Sequence, residues 1–128
     1  MVTTTTMLCS TSGSVPISTA TALIDAMTGL PAIIPIGGAV KSIAVYRDSD
    51  NTITSGCTIQ LGLVGALSKY IPFASAITTT NLNNLHLAHC NIDLDYGLTA
   101  DTELRIQLSG AALNLGSIVF EITYCSYA

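Results

Sequence analysis

Apolar and polar residues alternate with a period of two in several stretches of this chain, which predicts short β-strands with one buried face. The clearest alternation runs through Thr58–Val64, Thr102–Leu108 and Ser117–Tyr124, and a less strict one through Val40–Arg47. The last stretch is followed almost at once by the end of the sequence, and we expect it to close the sheet. The apolar positions expected on the inner faces are Ile43, Val45, Ile59, Leu61, Leu63, Leu104, Ile106, Leu108, Ile118, Phe120, Ile122 and Tyr124.

Other stretches carry weaker signals. Residues 20–30 fit helical spacing as well as strand spacing, and we expect strand or irregular structure because the rest of the chain is β-like. The segment Tyr70–Phe73 is interrupted by Pro72 and is expected at a sheet edge or in a loop. Residues 78–81 are expected to form a linker, and Leu85–Asp95 to form one or two strands.

Together these elements predict an all-β fold. About seven or eight short strands separated by turn signals are typical of an antiparallel β-sandwich, of jelly-roll or immunoglobulin-like kind. Residues 1–14 are rich in Thr and Ser and show little periodicity, so we expect a flexible N-terminal arm that a neighbouring molecule could order. Residues 15–128 are then expected to form a single sandwich domain with its own core.

Charge is scarce in this chain. Only 9% of the residues are charged and 49% are hydrophobic, whereas a typical soluble domain is about 25% charged. Ser, Thr, Asn and Gly must therefore form much of the surface, which suits a protein whose outer face is covered by neighbours. The net charge is −4 and the basic residues are scattered, so we expect no nucleic-acid partner. These basic residues are Lys41, Arg47, Lys69 and Arg105.

No stretch indicates a membrane partner. The N-terminal residues lack the basic and apolar regions of a secretory signal, and we expect none. The most apolar stretch, Leu30–Val40, is interrupted by Pro31 and Pro35 and falls short of the roughly 20 residues of a spanning helix. This stretch is either an apolar docking surface or a buried first strand of the core. We favour the buried strand, because burial removes the largest apolar block from water.

Four cysteines are spread through the chain without a CxxC pair. An even number could form two disulfides in an exported protein. Since no secretory signal is visible, we favour free, buried thiols. The cysteines are Cys9, Cys57, Cys90 and Cys125.

The densest group of potentially reactive side chains consists of His86, His89, Cys90, Asp93 and Asp95. Such a group invites a zinc or calcium interpretation. On a strand, however, His86 and His89 point to opposite faces, and Asp93 and Asp95 form the polar side of an amphipathic strand. Cys90 and His89 diverge in the same way, so they do not pair as nucleophile and base. We therefore predict no metal site and no catalytic residue.

Other signatures of enzymes are missing from the sequence. No GxSxG elbow is present, and Gly37-Gly38 lacks the spacing of a phosphate-binding loop. A glycosidase usually offers aromatic platforms to its sugar, but this chain has no Trp and only two Phe. We expect neither a cofactor nor an enzymatic activity.

Two longer stretches carry a resemblance to a known group of proteins. The first reads IPIGGAVKSIAVYRDSDNTITSGCTIQLGLVG and the second LTADTELRIQLSGAALNLGSIVFEITYC. In pattern and composition, over roughly residues 30–126, the chain resembles small β-sandwich decoration (cement) and minor capsid proteins of tailed phages and other icosahedral DNA viruses. One departure from these proteins is the number of cysteines, which leaves covalent cross-linking in the particle open.

The resemblance implies a non-enzymatic virion protein on the capsid surface, assembled in the host cytoplasm. Such proteins are often homotrimers at quasi-threefold axes that clamp neighbouring major capsid subunits. The expected partners are thus the major capsid protein and further copies of the chain itself. The resemblance assigns no function to individual residues.

Two other functions remain open from the sequence. The first is a receptor- or carbohydrate-binding β-sandwich module of a viral or phage particle, for which Tyr70, Tyr96 and Tyr127 are candidate contact residues. The second is a small sandwich enzyme, for which the stretch from His86 to Asp95 is the only foothold.

Overall fold

The computed structural model describes residues 2–11, 14–48, 52–73, 77–85, 87–91 and 97–127. These residues form ten β-strands and one short helix. In chain order the elements are β1 (Val2–Ser10), β2 (Thr21–Ala22), β3 (Ile24–Asp25), β4 (Ile33–Ile34), β5 (Ala39–Arg47), β6 (Thr58–Leu63), β7 (Ala66–Ile71), α1 (Thr79–Leu85), β8 (Leu87–Asn91), β9 (Thr102–Ser109) and β10 (Ile118–Tyr127).

The antiparallel strand pairs are nested along the chain. The first strand pairs with the last, and each further pair lies between the members of the pair before it. Strand β1 pairs with β10, β2 and β4 with β9, β5 with β8, and β6 with β7. Further pairs join these strands into two sheets, a first sheet in the order β3-β1-β10-β5-β8 and a second in the order β2-β9-β6-β7. Such nesting is jelly-roll winding. The predicted all-β sandwich is confirmed, and very short strands raise the count above the expected seven or eight.

The core contains side chains from the inner faces of both sheets. In β6, Ile59 and Leu61 are fully buried, whereas the alternating residues Thr58 and Gln60 keep contact with water. The same alternation runs through β9 and β10, because every second side chain of a strand points to the same face. All the predicted inner-face residues are buried except Tyr124, which is half-buried and packs against the core.

The N-terminal residues differ from expectation. We expected a flexible arm, but Val2–Ser10 form β1, which pairs with β10 along its whole length and with β3 at its end. Threonine favours strands, and burial of Met7 and Cys9 anchors the segment to the core. Pairing with β1 also makes β10 an interior strand of the first sheet, so the expectation that it closes the sheet is wrong.

Residues 20–36 link the two sheets at one side of the sandwich. Strand β2 pairs with β9 of the second sheet, and β3 pairs with β1 of the first, so the chain crosses between sheets at Leu23. In the following stretch Ala32 and Ile34 are fully buried, but Leu30 and Ile36 are exposed. The interpretation of Leu30–Val40 as a buried core strand is therefore wrong for about half of its large side chains.

Helix α1 covers one end of the sandwich. Its first turn includes part of the linker expected at residues 78–81, and the Thr78 hydroxyl accepts a hydrogen bond from the Asn81 amide at 3.1 Å, as an N-cap does. The Asn83 side chain donates to the Ile53 carbonyl and accepts from the Ile53 amide, both at 2.9 Å. These bonds fasten the helix to the loop before β6.

The remaining weaker predictions agree with the structure where it describes the chain. Strand β7, which ends at Ile71, is an edge strand of the second sheet, as expected for the segment that Pro72 interrupts. Of residues 85–95, Leu87–Asn91 form β8, as expected, and residues 86 and 92–95 lie outside the described part.

Candidate assembly surfaces

The outer face of the first sheet carries mostly short side chains, several of them with hydroxyl groups, and we call it the hydroxyl face. It is formed by the outward positions of the three central strands, and the register places these positions side by side. Its residues are Thr4, Thr6 and Leu8 of β1, Glu121, Thr123 and Cys125 of β10, and Ser42, Ala44 and Tyr46 of β5.

Several side chains of the hydroxyl face bind one another. The hydroxyl oxygens of Thr6 and Thr123 lie 3.1 Å apart across the β1–β10 pair, and the Tyr46 hydroxyl donates to Glu121 Oε1 at 3.0 Å. Partial burial, together with this bond to Glu121, raises the pKa of Tyr46. Glu121 is the one charged residue among the nine positions. The face therefore presents hydroxyls with little net charge and few long side chains to immobilise.

The second surface is a tight turn that continues into β4, residues 26–36, which we call the apolar hairpin. Asp25 shapes its start, because its carboxylate accepts from the Met27 amide at 2.9 Å and its carbonyl accepts from the Gly29 amide at 2.8 Å. Gly29 adopts a φ of +69°, a conformation that residues with a Cβ rarely adopt. At the turn, Met27 is 94% exposed and Leu30 is 64% exposed.

The second half of the apolar hairpin is held to the second sheet. Ile33 lies opposite Glu103 in the β4–β9 pair, and the Ile36 amide donates to the Asp101 carboxylate at 2.8 Å. A Cβ on Gly38 would approach Ile34 to 2.7 Å, so the chain packs closely where it leaves the hairpin. The backbone is thus well anchored while Ile33 and Ile36 stay 47% and 62% exposed.

A groove of about 520 Å³ lies on the outer side of the second sheet, between Val64, Leu67 and Arg105. Arg105 places its Nε 2.8 Å from Glu103 Oε1 and donates from Nη1 to the Ala20 carbonyl at 3.4 Å. Its guanidinium is therefore engaged within its own chain. The described lining contains no aromatic side chain, which a sugar-binding groove commonly uses.

The candidate site residues taken from the sequence lie mostly outside the described residues. His86, Asp93 and Asp95 lie outside the described residues, and His89 and Cys90 occupy β8 positions opposite Ala44 and Ile43. Within the described part, no three His, Cys, Asp or Glu residues come together as metal ligands could.

Of the three tyrosines proposed for receptor or sugar contacts, only Tyr70 has a described side chain. Tyr70 is buried, with 4% of its surface exposed, which contradicts its role as an exposed contact residue. Tyr96 lies outside the described residues, and Tyr127 ends β10.

The cysteine prediction is confirmed for two residues. Cys9 and Cys57 are buried free thiols, while Cys125 is free but only half-buried. Burial, reinforced by the nearby Asp25 carboxylate, raises the pKa of Cys9 to about 12, and burial also raises that of Cys57. Since the thiolate is the nucleophile, these two thiols are inert near neutral pH.

The sequence did not reveal the exposure of the apolar hairpin. A signal was present, because Asp25 and Gly29 mark a turn, and the chain from Ala26 to Val40 contains no charge. Among the described residues no helix is long and apolar enough to cross a membrane.

Comparison with known proteins gives structural matches alone. No protein-family model matches the chain, and no curated protein matches it either. A chain of the cyanophage Pam1 capsid asymmetric unit superposes with a TM-score of 0.59 at 18% identity, covering 98% of this chain and 85% of the other. A chain of the acid-stable capsid of Helicobacter pylori bacteriophage KHP30 gives 0.56 at 14% identity, covering 97% and 92%. This chain therefore shares its jelly-roll fold with chains of two phage capsids.

Proposed function

We propose that this chain is a non-enzymatic structural protein of a virion, which stabilises the shell by binding neighbouring capsid subunits. The observation that carries the proposal is the fold shared with two phage capsid chains over 98% and 97% of this chain.

The surface chemistry supports the same function. The hydroxyl face carries little net charge, so neighbouring subunits meet there with little electrostatic repulsion. Its short Thr and Ser side chains lose little conformational entropy on contact, whereas Lys and Glu side chains would lose more. Many modest contacts of this kind add up when a closed, symmetric shell repeats them.

More specifically, we propose that the chain is a decoration (cement) or minor capsid protein. The partner is the major capsid protein, the chain is a homo-oligomer, with a trimer favoured, and the protein lies on the capsid surface after assembly in the host cytoplasm. The proposal includes no cofactor, nucleic acid or membrane.

Particle binding tests this function. The purified chain is added to capsids of its own virus that lack this protein, and we measure its co-sedimentation and the melting temperature of the particle. We expect saturable binding and a higher melting temperature, because a ligand that binds only the assembled state stabilises that state.

The control is a Phe120→Ala variant, whose core is damaged, since Phe120 is fully buried. We expect this variant to bind poorly because binding requires the folded sandwich. Absence of wild-type binding at every concentration, with an unchanged particle melting temperature, contradicts the proposed function.

A further inference from the structure

Exposed apolar side chains are concentrated in the apolar hairpin. Among the described residues, eight large apolar side chains are exposed, and four of them lie within these eleven residues. The four are Met27, Leu30, Ile33 and Ile36. Single exposed apolar residues are ordinary on a protein surface, but such a concentration marks an interaction site.

We propose that the apolar hairpin is the surface through which two copies of this chain bind each other. The proposal rests on the proposed function, since it names the contact between copies within the assembly. The hairpin of one copy packs against a neighbouring copy, and its four apolar side chains leave water.

The exposed area fits a contact between whole subunits. The four side chains expose on the order of 450 Å² of apolar surface, as large as the biggest patch on a typical monomer. A standard interface buries about 800 Å² on each partner, and about 65% of a homodimer interface is apolar. The hairpin thus supplies most of the apolar area that one side of such an interface needs.

Charge favours a second copy as the occupant. Two copies with a net charge of −4 each repel, and the chain from Ala26 to Val40 contains no charged residue. The two flanking carboxylates, Asp25 and Asp101, already accept hydrogen bonds from the Met27 and Ile36 amides. Both carboxylates keep their charge at the two ends of the hairpin, but the hairpin between them carries none. It therefore adds no like-charge repulsion of its own and offers no charged group for a charged partner to recognise.

The backbone of the hairpin is also ordered before another copy binds. Its turn is bonded internally, and its second half is bonded to the second sheet, so its backbone is ordered before contact. A preformed surface avoids part of the ordering cost of association. What remains to be ordered is mainly the side chain of Met27, which is flexible and adapts to irregular surfaces.

Sedimentation velocity over a wide concentration range tests the proposal. The test variant is Met27→Ser with Leu30→Ser, and the matched control is Val64→Ser with Leu115→Ser. Val64 and Leu115 are 54% and 59% exposed but lie outside the hairpin. We expect the wild type and the control to self-associate alike, and the test variant to associate at least about tenfold more weakly.

Three results overturn the proposal. These are a wild type that stays monomeric at all concentrations, a test variant that associates like the wild type, and a control that weakens as much as the test variant. Circular dichroism and thermal melting establish that each variant is folded.

Methionine oxidation provides a measurement that needs no variant. Met27 is almost fully exposed and Met7 is buried, so dilute peroxide oxidises Met27 first in the free chain. We expect oxidation of Met27 to slow as the protein concentration rises, while Met7 remains slow throughout. A Met27 rate independent of concentration contradicts the proposal.

Particle binding separates this inference from the proposed function. Self-association through the hairpin without binding to particles supports the inference and contradicts the proposed function. If the test variant loses particle binding while it self-associates normally, the hairpin contacts the shell and the inference is wrong.

Discussion

The hydroxyl face and the apolar hairpin are both exposed and almost uncharged, yet their side chains interact differently with water. On the hydroxyl face, pairs such as Thr6 with Thr123 and Tyr46 with Glu121 bond to each other. In the hairpin, Met27 and Leu30 project side chains that have no polar atom able to bind water strongly. Two uncharged surfaces of one chain therefore differ in whether their side chains can form hydrogen bonds.

The difference determines what each surface gains when a neighbour covers it. Covering hydroxyls exchanges bonds to water for bonds to protein, which changes the free energy little. Covering apolar area gains about 25 cal/mol for each Å² removed from water. The hairpin can supply affinity from a small area, whereas the hydroxyl face permits close contact over a wide area without repulsion.

The sharpest contrast lies between the two sides of β10. Phe120 is fully buried on the inner side, and we expect Phe120→Ala to lower the free energy of unfolding by about 3–5 kcal/mol. Its neighbour Glu121 lies on the hydroxyl face, so Glu121→Gln serves as the control and should change stability by less than about 0.5 kcal/mol. Denaturant titration followed by circular dichroism measures both. Equal losses would mean that the outer face is part of the stable core.

The reaction rates of two cysteines compare the inner and outer sides of the first sheet. Cys125 lies half-buried on the hydroxyl face, whereas Cys9 is fully buried on the inner side with a pKa raised to about 12. We expect iodoacetamide at pH 8 to modify Cys125 at least about a hundredfold faster than Cys9, because only the thiolate reacts. Peptide mapping by mass spectrometry follows both sites.

The same raised pKa predicts a fall in stability at high pH. The unfolded Cys9 thiol has its ordinary pKa of 9.0 and the folded thiol a pKa of about 12. The stabilisation of the folded state that follows from this difference is complete below pH 9 and is lost as the pH rises towards 12. A Cys9→Ala variant should lack this part of the pH dependence. In the iodoacetamide experiment, similar rates of modification of Cys9 and Cys125 in the folded protein would contradict the burial of Cys9.

Asp25 connects the hairpin's shape to its proposed role. Replacing Asp25 by Ala removes the acceptor for the Met27 amide, and we expect a loss of stability of about 0.5–1.5 kcal/mol. Asp25→Asn keeps an acceptor oxygen and should lose less, which separates the hydrogen bond from the charge. Thermal unfolding measures the loss. Equal losses in the two variants would show that the charge, which both remove, and not the acceptor, shapes the turn.

The smallest effect is expected within the hydroxyl face. A double-mutant cycle with Thr6→Val and Thr123→Val should give a coupling energy of about 0.5 kcal/mol, because the pair is exposed and valine keeps the preference for strand. Denaturant unfolding of the four proteins gives this energy. A coupling above about 1.5 kcal/mol would mean that the hydroxyls form a cooperative network and not a set of local pairs.

Alternation in the sequence predicts the strands with one fully buried face. In β6 and β9 each inward apolar residue is followed by an outward one, as in Ile59-Gln60-Leu61, and β10 repeats this period from Phe120 onwards. These three strands could therefore be assigned from the local pattern alone. The same pattern identifies most of the core. It contains no information about which strand pairs with which, and so the interior position of β10 was missed.

The features that the sequence did not predict depend on distant partners. Thr3 to Thr6 give no alternation, and they form a strand because β10 provides bonding partners. The side chains of Ala32 and Ile36 have similar local surroundings in the sequence, yet one is buried under the sheets and the other faces water. Composition alone cannot distinguish them, because burial depends on where the link between the sheets runs.

The pairing of β1 with β10 has a consequence for synthesis on the ribosome. The hydroxyls of Thr6 and Thr123 meet although 117 positions separate them in the chain. Strand β1 must wait for β10, which is made more than a hundred residues later, and contacts of such long range form slowly. A polypeptide released before β10 is complete lacks the middle of the first sheet and cannot display the hydroxyl face. Truncated products are thereby kept out of any assembly that uses this face.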